Sequence, residues 1–190
     1  WMPIVQSAGD EALYRSLFTD ASAANVTDFL VFHPANPNSI LGAITQSREN
    51  ARMVRDQITI ELWEELNRLY LFLHTPRATK LLRSSPVEFF QEVRAASLHL
   101  QGLVDATILH NEGWHFLQAG CALERAEMTA RILDVHYHQL VVGPEILTEA
   151  SSHAWVAVLK SVAAYEFYKR QHSQIEPTHV AQLLLLDPRH

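Results

Sequence analysis

The sequence predicts an all-α fold, a helical bundle of long antiparallel helices within an internally repeated, about two-repeat architecture. Three observations carry that reading. Apolar residues recur at helical spacing between breaks at Pro34 and Pro37, Pro76, Pro86, Pro144, Pro177 and Pro188. Nothing argues for strands: Val141-Val142 is too short and Leu183–Leu186 is helically flanked. The chain also matches itself when shifted by 154 positions without gaps.

Taken in order, residues 8–18 and 22–33 read as short helices, with Pro34-Ala35-Asn36-Pro37 as a turn. Ser39 suits the N-cap of one long helix over 40–74. Its seam is Ile40, Ile44, Ala51, Ile58, Leu62, Leu66, Leu69 and Leu73. Ser85-Pro86, with Glu88 in the first turn, opens a helix over 86–110. Asn111-Glu112-Gly113 either interrupts it or is absorbed. A helix from Trp114 to Gln139 follows, then a loop from Leu140 to Ser152. Helices over 153–172 and from Pro177 to Leu186 end the chain.

In the self-match, Trp1 falls on Trp155, Ser7 on Ser161, Tyr14 on Tyr168, Val26 on Val180, Leu30 on Leu184 and Pro34 on Pro188. Other pairs keep their character, such as Ile4 with Val158 and Phe29 with Leu183. Residues 1–34 then read as the end of one repeat and 155–188 as their equivalent, inside a single all-α domain of 190 residues. The helix over 114–139 should then have a partner before Trp1 and the helix over 40–74 one after Pro188, and neither is present, so the sequence reads as a fragment of a protein of roughly 300 residues. The opening at Trp1, without an initiator methionine, agrees with that expectation.

Composition narrows the function. A hydrophobic share of 48% supports a real core and excludes disorder. A net charge of −6 disfavours a general nucleic-acid binder. No apolar run approaches the ~18 residues of a membrane span, and no signal peptide opens the chain, so a cytoplasmic protein is expected. The lone Cys121 excludes an intrachain disulfide and, among apolar residues, reads as a buried thiol. His136 and His138 point to different helix faces, and His110 and His115 stand five apart. Neither pair has the spacing of a helical zinc site, and Glu112-Gly-Trp-His115 occurs once, so no metal is expected. Without a phosphate-binding glycine loop, no nucleotide cofactor is expected either.

Charge placement singles out candidate site residues. On the helix at 114–139, Glu124 and Arg125 flank the stripe of Trp114, Leu117, Cys121, Met128, Ile132 and Val135 rather than opposing it. Leu123, Phe116 and Leu133 lie on other sides, which predicts a helix buried all round with charge in or near a core. Glu127 and Arg131 stand i, i+4 apart. Arg48, Arg52 and Arg55 line one edge of the 40–74 seam, with Asn50 between them. Buried charge needs partners, so the carboxylates of Glu124 and Glu127 are expected to meet these arginines. The set reads as a structural ion-pair network, as a carboxylate site with Glu124 or Glu127 as acid/base and Arg48, Arg52, Arg55 and Arg125 as the anion-binding groups, or as unpaired solvated charge.

Several of these residues resemble a known family. Ser-Arg-Glu-Asn-Ala-Arg-Met-Val-Arg-Asp at 47–56, Glu-Leu-Trp-Glu-Glu-Leu-Asn at 61–67 and Asn36-Pro37-Asn38-Ser39-Ile40 are similar to the alpha-E domain family of bacteria. So are Gly113-Trp114-His115-Phe116 and Leu123-Glu124-Arg125-Ala126 with Thr129-Ala130-Arg131. The resemblance covers nearly the whole chain and implies a helical domain whose Glu-Arg motif falls on Glu124-Arg125. A further Glu-Arg helix near the family's N-terminus has no counterpart here. The resemblance further implies a link to ATP-grasp ligases and transglutaminase-like proteins of peptide synthesis or modification. The expected function is a partner or scaffold subunit of such a system. The alternative is an enzyme using Glu124, Arg125 and the arginine stripe on a carboxylate or peptide. Self-association through exposed helix faces is a third expectation.

Overall fold

The computed structural model of the chain describes residues 1–141 and 149–187. Among them are eleven helices and no strand. They are α1 (Met2–Ala8), α2 (Glu11–Leu17), α3 (Ala23–Val31), α4 (Ile40–Met53), α5 (Ile60–Leu73), α6 (Pro76–Ser84), α7 (Pro86–Thr107), α8 (Glu112–Val141), α9 (Glu149–Ser161), α10 (Tyr165–Gln171) and α11 (Pro177–Leu186).

Local side-chain chemistry accounts for most boundaries. The hydroxyls of Ser22, Ser39, Thr59 and Thr75 each accept a bond from the backbone N–H three residues on, opening α3, α4, α5 and α6. Such a cap stabilises a helix by about 1 kcal/mol. Thr59 explains one correction. The single helix expected over 40–74 is two, because Thr59 starts a new helix after the 54–58 turn. The helix expected over 8–18 begins after a break at Gly9, and the one over 153–172 is divided between Ser161 and Tyr165. Of the loop expected over 140–152, Glu149–Ser152 is helical and 142–148 lies outside the described residues. The short helix α6, capped by Thr75 and opened by Pro76, follows a proline that the sequence reading took only as a break.

The chain divides into two compact units, Leu17–Ala119 and Trp1–Ser16 with Gly120–His190. In the Leu17–Ala119 unit, α5 and α7 run antiparallel. The Thr59 and Thr107 hydroxyls meet at 3.0 Å, Glu65 faces His99 at 3.4 Å, and the Phe72 and Phe89 rings lie 6.3 Å apart. Between them sits a core of Val31, Leu69, Leu73, Ala78, Leu82, Phe89 and Ala96. Each large side chain sealed there contributes roughly 1.5–3 kcal/mol. The turn from α3 to α4 is held by Asn36, which is buried. Its amide nitrogen donates to the Phe29 carbonyl (3.1 Å) and its Oδ1 accepts from the Asn38 N–H (2.9 Å). A Cβ at Gly42 would stand 2.5 Å from the Pro37 carbonyl oxygen, so only glycine lets α4 start this close to the turn.

The second unit has its own core of Leu133, Trp155, Val158, Leu159, Ala164, Tyr168, Val180, Leu183 and Leu184. The Tyr168 hydroxyl donates to the Gln174 carbonyl (2.9 Å) and accepts from the Glu176 N–H (3.0 Å), tying α10 to the turn before α11. Burial raises its pKa above the ordinary phenol value. At the other end of the sequence, α1 stops at Gly9, whose φ is 81°. Arg131 of α8 donates from Nη1 to the Ala8 carbonyl at 2.8 Å, satisfying one orphan carbonyl at that helix end.

Positions 154 apart share detailed local structure. α2 and α10 coincide residue for residue at this offset. Gly9 and Ala163 are both left-handed, with φ of 81° and 58°. The Gly9 and Asp10 N–H groups bond back to Gln6 and Val5, and those of Ala163 and Ala164 bond back to Lys160 and Leu159. Tyr14 and Tyr168, Val26 and Val180, and Phe29 and Leu183 are buried pairwise.

Two predictions follow from this packing. Ala163→Gly removes a left-handed alanine and should raise stability by a few tenths to about 1 kcal/mol in thermal unfolding. Gly9→Ala should lower it by about 1 kcal/mol, since an alanine there would be held at a left-handed φ of 81°. Glu65 supplies the second. The Arg68 hydrogen bonds, at 2.5 and 2.9 Å, hold its carboxyl below the ordinary range, with His99 adding to the effect. A depressed folded-state value stabilises the protein above the unfolded carboxylate range, and that stability is lost as pH falls through the folded value. Glu65→Gln should therefore be less stable than the parent by roughly 1 kcal/mol at neutral pH, Arg68 being largely exposed. The two melting curves should converge in acid.

Candidate functional site

The residues singled out by charge placement fall in both units. Arg48, Asn50 and Arg52 stand on α4 of the Leu17–Ala119 unit, and Arg55 lies in the turn that follows. Arg48 and Arg55 form a clasp with one face of α5. Arg48 donates from Nε to Asn67 Oδ1 at 2.8 Å. Its guanidinium lies 4.5 Å from the Tyr70 ring centre and 5.3 Å from that of Trp63. Arg55 approaches the Trp63 ring at 5.5 Å and donates to the Ile58 carbonyl at 3.4 Å. Cation–π contacts of this kind are worth about 0.5–2 kcal/mol each, more where water is excluded. Glu49 bonds both Arg48 (3.1 Å) and Arg52 (2.8 Å), and the Arg52 hydrogen bond holds its carboxyl below the ordinary range. Asn50 accepts from Gln46 and is exposed.

Trp63, Asn67 and Tyr70 are the residues that sequence reasoning missed. Their spacing of i, i+4 and i+7 puts them on one helix face, a signal present in the sequence. The apolar seam of α5, Leu62, Leu66, Leu69 and Leu73, lies on the adjacent face and drew attention away from it.

α8 carries the remaining candidates. It opens where Asn111 Oδ1 accepts the Trp114 N–H at 3.2 Å and the Trp114 ring stacks on His110 at 4.1 Å. From Ala119 to Met128 every residue is exposed. The expectation of an all-round buried helix is corrected on this stretch. Glu124 and Arg125 stand in solvent and join no side-chain hydrogen bond or ion pair among the described residues. Cys121, expected as a buried thiol, is exposed as well. Phe116 and Leu123 are more than two-thirds exposed. Burial resumes only at Thr129 and Leu133.

Glu127 meets Arg131 of its own helix, and the arginines of α4 share Glu49. Each of these charges is thus satisfied by a neighbour in its own unit. Arg131, bonded to both Glu127 and the Ala8 carbonyl, holds α1 to α8. Near the start of α8 lies an open recess lined by His110, Asn111, Glu112, His115, Phe116 and Ala119. Among the described residues, no three His, Cys, Asp or Glu side chains are placed to hold a metal ion. No described helix is long and apolar enough to cross a membrane.

The middle of α8 therefore presents a mixed surface, with Leu123 and Met128 exposed along with the carboxylate of Glu124 and the guanidinium of Arg125. Such a surface suits contact with another macromolecule better than capture of a small molecule, which wants concavity. The sequence holds a single Glu-Arg dipeptide, Glu124-Arg125. No curated protein and no solved structure matches the chain. One family model matches residues 1–190, and it is described as "a predicted alpha-helical domain with a conserved ER motif". With helices throughout its described residues and its Glu-Arg pair displayed on α8, the chain belongs to the Alpha-E family.

Proposed function

We propose that this chain is a helical partner subunit of an ATP-grasp- or transglutaminase-linked system of peptide synthesis or modification, docking through the exposed middle of α8. One observation carries the docking reading: the helix that bears Glu124 and Arg125 is exposed on all sides from Ala119 to Met128, with large apolar side chains open beside the charges. Exposed Phe and Leu are costly unless a partner covers them, and a flanking charge pair gives such a contact register. The link to ligases rests on the family resemblance. The absence of a phosphate-binding glycine loop from the sequence favours a non-catalytic subunit.

The enzyme reading, with Glu124 and Arg125 acting on a carboxylate or peptide, gains less support. Preorganised catalytic groups work in a water-excluded site, and both side chains stand in solvent. The three arginines of the stripe are engaged: Arg48 with Asn67 and two aromatic rings, Arg52 with Glu49, and Arg55 with Trp63 and the Ile58 carbonyl.

The test is co-purification with an ATP-grasp ligase of the same genome, co-expressed with the tagged chain. The parent chain should bring the ligase down in stoichiometric amount. Leu123→Glu and the charge reversal Glu124→Arg should each cut recovery at least about tenfold, the size expected for a central interface residue. Both positions are exposed, so melting temperature should stay unchanged. Failure to recover ligase with the parent chain would sink the proposal. Undiminished recovery with both variants would remove α8 as the contact. A peptide-modifying activity of the purified chain alone, lost in Glu124→Gln at unchanged melting temperature, would favour the enzyme instead.

A further inference from the structure

Glu65 is a buried carboxylate that the docking surface on α8 does not use. It stands on α5 and is 8% exposed. Arg68, one turn further along the helix, grips it with two hydrogen bonds at 2.5 and 2.9 Å. A third partner comes from the neighbouring helix, where His99 of α7 places Nδ1 3.4 Å from Glu65 Oε1. Glu92, also on α7, adds to the electrostatic hold on Arg68. These four side chains join α5 to α7 within one unit.

The contacts decide the state of the imidazole. Arg68 holds the Glu65 carboxyl below the ordinary range, so near neutral pH it is ionised and accepts hydrogen bonds only. Nδ1 of His99 then carries the proton it donates, and the lone pair of the neutral ring lies on Nε2. The His99 side chain is 60% exposed. One nitrogen of the ring is therefore fixed against a buried anion, and the other is left for a reagent arriving from solvent. Other histidines lack this combination. His179 Nδ1 also stands 3.4 Å from a carboxylate, but that of Glu176 is half exposed and the ring is stacked on His172 at 4.4 Å. His74 Nδ1 meets the Tyr70 carbonyl oxygen at 2.8 Å, an acceptor without formal charge.

An electrophile taken up at Nε2 turns the ring into an imidazolium. An anchored anion at the opposite nitrogen stabilises that charge as it forms and needs no rearrangement to do so. The exposure of the ring narrows the group transferred. An acyl imidazole hydrolyses quickly in open water, whereas a phosphorylated imidazole persists long enough to be passed on. We propose that His99 is a phosphoryl-acceptor site, with Glu65 as its positioning residue and an activated phosphoryl compound, an acyl phosphate or a phosphoramidate, as donor. In the transfer, Nε2 attacks phosphorus and the Nε2–P bond forms. The bond from phosphorus to the leaving group breaks, and that group departs with the electron pair, as a carboxylate from an acyl phosphate or as ammonia from a phosphoramidate. Nδ1 keeps its proton, shared with Glu65. The inference concerns the α5–α7 pair and does not rest on the docking reading of α8.

The test uses the full chain and phosphoramidate at neutral pH, with acid-labile, alkali-stable phosphate mapped onto each histidine by mass spectrometry. His74 and His115, both exposed in the same unit, are the references. His99 should react at least about tenfold faster than either, as expected for a charge placed to stabilise the transition state. Glu65→Gln should bring His99 down to the reference rate and leave His74 and His115 unchanged. That contrast separates positioning from a structural role, since a loosened fold would expose site and references alike. Glu65→Asp, which keeps the charge on a shorter arm, should fall between the two. Equal rates at His99, His74 and His115 in the parent chain would overturn the proposal. So would a His99 rate that Glu65→Gln leaves unchanged at intact helix content.

Discussion

Asn36 is the hinge on which the Leu17–Ala119 unit depends. It is buried at the corner between α3 and α4, with both ends of its amide engaged by backbone. One end closes the last turn of α3 and the other sets the turn that delivers Ser39 to the start of α4. A buried amide carbonyl left without its donor costs about 1–3 kcal/mol, so the corner has little room for alternatives. Once it is set, Val31 faces the groove of α5 and α7, and Arg48 is carried to Asn67, Trp63 and Tyr70. Gly42 adds a steric condition to the polar one, because the helix starts in contact with the turn.

This ordering explains what the segments that carry the resemblance do. Asn36-Pro37-Asn38-Ser39-Ile40 is the corner itself. Arg48 and Arg55 from the second motif stack on Trp63, and Arg48 bonds Asn67, both residues of the third. These motifs recognise one another, so in this unit their first task is to fix helix register. Arginine suits that task, since a planar guanidinium lies over rings while its edge donates to an amide. The Glu-Arg motif differs in kind. Arg131, one turn and a half further along α8, is tied to α1, while Glu124 and Arg125 have no such internal partner among the described residues.

Helical class was legible because it depends on local period, which the sequence states directly. Start signals with a hydroxyl and a following helix, as at Ser39, were read correctly, whereas the same signal at Thr59 was overlooked inside a continuous apolar seam. That seam survived the 54–59 turn because both flanking helices face one core, and periodicity alone does not report a reversal of direction. The placement of α8 was misjudged for a related reason. Apolar residues on several faces show that a helix has the means to be buried, not that neighbours exist to bury it. Side-chain partners such as Trp63 and Asn67 depend on the α4–α5 crossing, which no single helix encodes.

The exposure of α8 between Ala119 and Met128 also bears on its dynamics. A helix stretch without tertiary cover depends on its own backbone bonds, and isolated helices shorter than about 12–15 residues are marginal in water. Here the stretch is pinned at both ends, by Trp114 against His110 and by Leu133 in its core, so its nucleation cost is already met. It nevertheless contributes few contacts that resist opening. Its amides should therefore belong to the fast-exchanging part of the molecule, far below the slow amides around Leu69 or Tyr168. The Glu-Arg pair thus sits on a segment whose order is conditional, and anything that binds there also chooses how often the helix is whole.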